Sequence, residues 1–70
     1  MTESIYRVTQ VIGTSTESWE DAAKHAVETA AKSLRDLRVG EVDKLDLTIE
    51  EGRVTDYRAR VNISFKYESD

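Results

Sequence analysis

The chain contains no cysteine, a single histidine, a single tryptophan and only three glycines. Without cysteine there is neither a disulfide nor a thiolate metal site, and one histidine argues against structural zinc. No apolar run approaches the ~20 residues that a helical membrane span needs. The N-terminal MTESIYR lacks the apolar core of a signal peptide, so the expected location is cytoplasmic, with no membrane partner. A formal charge of −4 and a pI near 4.9 argue against nucleic acid as a partner. There is no glycine-rich phosphate loop, no Ser/His/Asp set and no nucleophile–base pair. The expectation is therefore a protein that is not an enzyme. Seventy residues allow one small domain, taken as residues 1–70. A domain this size buries only about 60% of its unfolded surface. With disulfides and zinc excluded, self-association is the remaining source of stability.

What is present begins with one amphipathic stretch, Ser18 to Leu37. Trp19, Ala22, Ala23, Ala26, Val27, Ala30, Ala31, Leu34 and Leu37 recur at steps of three and four, with polar residues between them. That spacing predicts a helix with one buried face, roughly 30 Å long. Five of these nine residues are alanine, so whatever packs there can come close to the helix axis. Ser18 and Asp21 fit a capping pair at the start. Glu20 and Asp21 at the start, with Arg35 and Arg38 at the end, suit the helix dipole. Trp19 is expected to pack as a core or staple residue. His25 falls on the polar face and reads as solvated surface.

Three β-rich stretches surround the helix. Residues 4–12 predict strand one, with Tyr6, Val8 and Ile12, and Gln10 between them, sharing a parity that would face the helix. Residues 39–50 predict strand two, where Leu45, Leu47 and Ile49 alternate with Lys44, Asp46, Thr48 and Glu50. Val42 breaks that parity, and a bulge near Asp43 would reconcile it. Residues 54–67 predict strand three, with Tyr57, Ala59, Val61, Ile63, Phe65 and Tyr67 on one face. A three-residue turn at 51–53 would pair Leu47 with Tyr57, Leu45 with Ala59, and Asp46 with Arg58. The fold class is α+β, in β-α-β-β order. Strand directions give a three-stranded antiparallel sheet, order 1-3-2, curled around the one helix. Strand three would span about 46 Å, so the sheet overhangs the helix and calls for partner subunits.

Tyr6-Arg7-Val8, Gly13-Thr14-Ser15, Ser18-Trp19-Glu20-Asp21-Ala22, Leu34-Arg35-Asp36-Leu37-Arg38, Glu41-Val42 and Phe65 together resemble the dodecin family over nearly the whole chain. The resemblance implies a hollow homododecameric shell that binds and stores small ligands, in many members stacked pairs of flavins. Two positions carry the family's flavin chemistry. A tryptophan in a W-x-E-V motif stacks on the ring; this chain reads Val39-Gly40-Glu41-Val42, and valine offers no aromatic face. A glutamine after a tyrosine hydrogen-bonds the ring edge; this chain reads Tyr57-Arg58, and Arg58 donates but cannot accept. Where flavin binders often carry a basic residue in strand two, this chain has Asp46. Asp46 and Arg58 are expected to fill that pocket with an ion pair.

This pattern resembles the flavin-poor branch associated with calcium. It implies weak or absent binding of FMN or riboflavin and a divalent cation, calcium or magnesium, as the bound species. The candidate cation ligands are Glu41, Asp46 and Glu50, with Asp46 discounted if Arg58 pairs with it fully. In a single chain Glu41, Asp43, Asp46 and Glu50 read as a solvated or salt-bridged face; symmetry axes would turn one acid per subunit into a cluster. Two alternatives stand beside this reading: a flavin-storing dodecin with a variant pocket, and a structural shell without ligand.

Overall fold

A computed structural model describes residues 5–66 of the chain. Strand β1 spans Tyr6–Ser15, helix α1 Trp19–Ala30, β2 Leu37–Glu50 and β3 Arg53–Lys66. The strands form one sheet of order β1-β3-β2, antiparallel at both junctions, as the strand directions require. Ser4 and Tyr67, expected at strand ends, lie outside the described residues. No helix among the described residues is long and apolar enough to cross a membrane.

The core is the contact between the middle of β3 and the alanine stripe of α1. Ala59, Val61 and Ile63 are buried against Ala22 and Ala26, and Val11, Ala23, Val27, Ala30 and Leu37 pack around them. Alternation along β3 supplies one row of this contact and the small residues of α1 supply the other. Gly13 of β1 fixes how close the helix lies. A Cβ at this position would meet the carbonyl oxygen of Ala22 and come within 2.8 Å of the Ala26 Cβ.

That close approach inverts the expected parity of β1. Val11, Gly13 and Ser15 face the helix, while Tyr6, Val8 and Ile12 are 50%, 64% and 50% exposed on the opposite face. Only a residue without a side chain fits under Ala22, so Gly13 points inward and Ile12 outward. Ser15 then reaches the helix start. Its hydroxyl donates to Asp21 Oδ2 at 2.7 Å and accepts from the Glu17 N–H at 2.8 Å. Ser18 caps as expected, accepting from the Asp21 N–H at 3.0 Å, but the Asp21 carboxylate answers to Ser15 rather than to Ser18.

The helix is shorter than its apolar spacing predicts. Twelve residues are helical, a rod of about 18 Å. After Ala31 the chain tightens, with the N–H groups of Lys32 and Ser33 donating three residues back, to Thr29 and Ala30. Asp36 then takes a left-handed conformation, φ 57°, and turns the chain into β2. Leu37 therefore joins the core from a strand, and Arg35 and Arg38 lie beyond the helix's last turn.

The β2–β3 ribbon bulges at Asp43, as the parity break at Val42 requires, and again at Arg38. Its turn is Glu51-Gly52, two residues instead of three, with φ of 51° and 76°. Two successive positive φ values match the twist of a tight hairpin, and glycine takes the second without strain. A further register shift between Thr48 and Ile49 leaves Thr55 unpaired and restores the expected register, so Leu47 meets Tyr57 and Leu45 meets Ala59.

Helix α1 lies on β1 and β3 and barely reaches β2. The inner row of β2 is accordingly bare: Val42, Leu45, Leu47 and Ile49 are 47%, 50%, 39% and 63% exposed. The molecule is elongated, 56 × 20 × 14 Å, with this apolar strip along its long ribbon.

Candidate ligand-binding face

The face of the sheet turned away from the helix holds all the candidate residues. Across it, Thr14–Arg58–Asp46, Ile12–Arg60–Lys44, Gln10–Asn62–Glu41 and Val8–Ser64–Val39 form successive cross-strand rows. The register that alternation predicted for β2 and β3 sets Asp46 directly opposite Arg58. The two form a bidentate pair, Nε donating to Oδ1 at 2.8 Å and Nη2 to Oδ2 at 3.1 Å. The Arg58 hydrogen bond holds the Asp46 carboxyl below its usual range despite some desolvation, and the same bond raises the Arg58 guanidinium. Asp46 is also tied from the other side of the ribbon: Trp19 Nε1 donates to its carbonyl oxygen at 3.1 Å. The indole packs edge-on against Tyr57, centroids 5.2 Å apart at 74°. Trp19 thus acts as the packing residue its place on the stripe suggested, and it braces the strand that carries Asp46.

One chain does not bring the expected ring-binding positions together. Val39 pairs with Ser64, six residues along β3 from Arg58, a separation of roughly 20 Å. Val39 instead lines a shallow hollow of about 750 Å³ with Val8, Gly40, Glu41, Asn62 and Ser64. Its walls are aliphatic and polar, without an aromatic face.

The cation candidates are also spread out. Glu41 faces Asn62, Asp46 faces Arg58 and Glu50 faces Arg53, so the outermost two lie about 30 Å apart along the strand. Among the described residues no three potential ligands cluster. A calcium ion takes six to eight oxygens, and the described residues of a single chain do not supply that set. Both oxygens of Asp46 already accept from Arg58, which removes it from the donor set. Glu41 differs from the others, since its cross-strand neighbour is a neutral amide.

A polar chain that sequence reasoning missed runs beside Glu41. Gln10 Nε2 donates to Asn62 Oδ1 at 2.8 Å and approaches Asp43 Oδ2 at 3.4 Å, reaching from β1 across β3 to the β2 bulge. The signal was the bulge itself together with the correct parity of β1; placing Gln10 on the helix side hid it.

The model of the dodecin family matches residues 5–68. The calcium dodecin of Mycobacterium tuberculosis is 41% identical over 63 residues, covering 90% of this chain and 89% of that protein. A dodecin of Thermus thermophilus is 34% identical over 64 residues, covering 91% and 93%. In three dimensions the chain superimposes on the dodecin of Streptomyces coelicolor with a TM-score of 0.90 at 34% identity, over all of both chains. It superimposes on the calcium-chelating calcium dodecin of M. tuberculosis, whose structure has a novel calcium-binding site, with a TM-score of 0.82 at 40% identity over 96% of each. The family match spans residues 5–68 and the superpositions cover nearly the whole chain, so the chain belongs to the dodecin family.

Proposed function

We propose that residues 1–70 are one dodecin-like domain that assembles into a hollow homododecamer in the cytoplasm and stores divalent cations, calcium first, rather than flavin. The reading is one of binding, not catalysis. The observation that carries it is the arrangement of charge on the outer face: Asp46 and Arg58 close on each other, while Glu41 faces a neutral residue. An ion pair fills the position of a ring-edge amide, and Val39 replaces the ring platform, so FMN and riboflavin bind weakly or not at all. Glu41, brought beside its copies at a contact between subunits, gives a cation the oxygens that one chain lacks. Glu50 is the second candidate, weaker because Arg53 sits opposite. The calcium dodecin relative favours calcium over magnesium as the first ion to test.

Assembly is supported by the bare apolar strip along β2. Exposed runs of this kind mark interaction surfaces, and a small domain needs such burial. Twelve chains at −4 each carry −48, a self-repulsion that bound cations relieve. Light scattering of the purified protein at micromolar concentration tests the shell. The expected mass is that of a dodecamer, and a stable monomer overturns the reading.

A further inference from the structure

We propose that the hollow on the outer face of the sheet binds a primary alkylammonium ion, its head on the Glu41 carboxylate and its chain along Val8 and Val39. The hollow, about 750 Å³, is built within one chain from all three strands. Its neutral polar side chains already bond within the sheet. The Asn62 side-chain oxygen accepts from Gln10 Nε2 at 2.8 Å, and the Ser64 hydroxyl donates to the Val39 carbonyl at 3.4 Å. Glu41 has no hydrogen-bond or ion-pair partner among the described residues. Lys44 lies one row further along the strand and does not line the hollow. The other end is aliphatic. Val8 and Val39 flank Ser64 on either side and are 64% and 59% exposed. Their row lies two residues along the strands from that of Glu41, roughly 7 Å.

Charge and shape together select the ligand class. A carboxylate without a partner, at one end of an apolar lining, complements a cation that carries its own apolar surface. An ammonium has three donors and no acceptor, so a single carboxylate can anchor it. Calcium takes six to eight oxygens, more than the one free carboxylate here supplies. An alkyl chain of roughly 7 Å reaches from Glu41 to the two valines and takes their apolar surface out of water. This binding goes beyond cation storage by the assembled shell: it needs no contact between subunits, although it uses the same Glu41. A lysine side chain from a second copy is the competing occupant, and it would exclude a free amine.

The experiment is titration calorimetry of the purified full chain in EGTA with methylammonium and n-butylammonium chloride, each against sodium chloride at equal ionic strength. Butylammonium is expected to bind saturably, and about tenfold more tightly than methylammonium. Glu41→Gln is expected to weaken butylammonium binding by about tenfold or more. Val8→Ser keeps the carboxylate and shortens the apolar wall, so it is expected to narrow the gap between the two amines. Lys32→Gln, on an exposed position after the helix, is expected to leave both unchanged. Equal binding of the two amines overturns the proposal, as does butylammonium binding that survives Glu41→Gln. No saturable amine binding, as expected if a lysine of a second copy fills the hollow, also overturns it. Calcium is titrated separately, without EGTA or amine. A calcium response with no amine response overturns this inference alone and leaves cation storage standing; an amine response with no calcium response supports this inference and counts against cation storage.

Discussion

Trp19 and Asp46 are joined by one hydrogen bond, indole Nε1 to backbone carbonyl at 3.1 Å, and through it the first residue of the helix holds the strand that carries the Asp46–Arg58 pair. The bond spans a place where α1 otherwise barely touches β2. Trp19→Phe keeps the edge-on contact with Tyr57 and removes only the donor. The expected loss is about 0.5–1.5 kcal/mol of unfolding free energy, measured in urea. Trp19→Leu removes the ring contact as well and is expected to cost more; equal losses would mean that the hydrogen bond contributes nothing.

The Asp46–Arg58 pair carries a pH signature. Arg58 lowers the Asp46 pKa in the folded protein below the ordinary 3.8. The pair's contribution is therefore fully present above 3.8 and is lost as pH falls through the folded value, where the carboxylate takes up its proton. Asp46→Asn is expected to flatten this part of the acid limb when melting is followed from pH 5 downwards. An unchanged limb would show that the bidentate geometry adds no stability.

Gly13 is the position where the helix tolerates no side chain on β1. Gly13→Ala drives a methyl into the Ala22 carbonyl and the Ala26 Cβ, and is expected to cost about 1–3 kcal/mol. Gly40→Ala is the comparison: its added Cβ lies 3.3 Å from Val27 Cγ2 and 3.4 Å from Val61 Cγ1, a contact that a small shift relieves. Chemical denaturation should rank Gly13→Ala well below Gly40→Ala.

Flavin binding should be recoverable. Val39→Trp supplies a stacking face, and Arg58→Gln supplies an amide and releases Asp46. Riboflavin fluorescence is expected to be quenched by the double variant and little affected by the natural sequence. Tight stoichiometric quenching by the natural protein would instead support a variant flavin pocket.

Much of this was legible because β3 alternates without error from Tyr57 to Phe65. That alternation gave the register that set Asp46 against Arg58, while the strand directions gave the 1-3-2 order with β3 in the centre. Val42's broken parity gave the bulge at Asp43. Strand β1 was harder, since Val11 competes with Tyr6, Val8 and Ile12 for the inner face. The decision lies with Gly13, whose need to sit beneath the helix is a tertiary requirement absent from local pattern. The end of the helix was hidden for a similar reason. Leu34 and Leu37 continue the helical spacing, yet Asp36 adopts a left-handed conformation that nothing in the periodicity announces. The two-residue turn escaped because a compensating unpaired residue, Thr55, leaves the register downstream unchanged. At the candidate site, the pairing of Asp46 was readable but the separation of Val39 from Arg58 was not, since motif positions carry no distance.

The central claim is that this dodecin binds divalent cations through Glu41 at contacts between copies. Its most direct test is the melting temperature of the assembled protein in millimolar calcium against EGTA, with monovalent salt matched to equal ionic strength. A ligand that binds only the folded assembly must stabilise it, and monovalent salt removes the contribution of screening. The account predicts a higher melting temperature in calcium, with most of the difference lost in Glu41→Gln and retained in Asp46→Asn. Identical curves in calcium and matched salt, or a calcium effect untouched by Glu41→Gln, would contradict it.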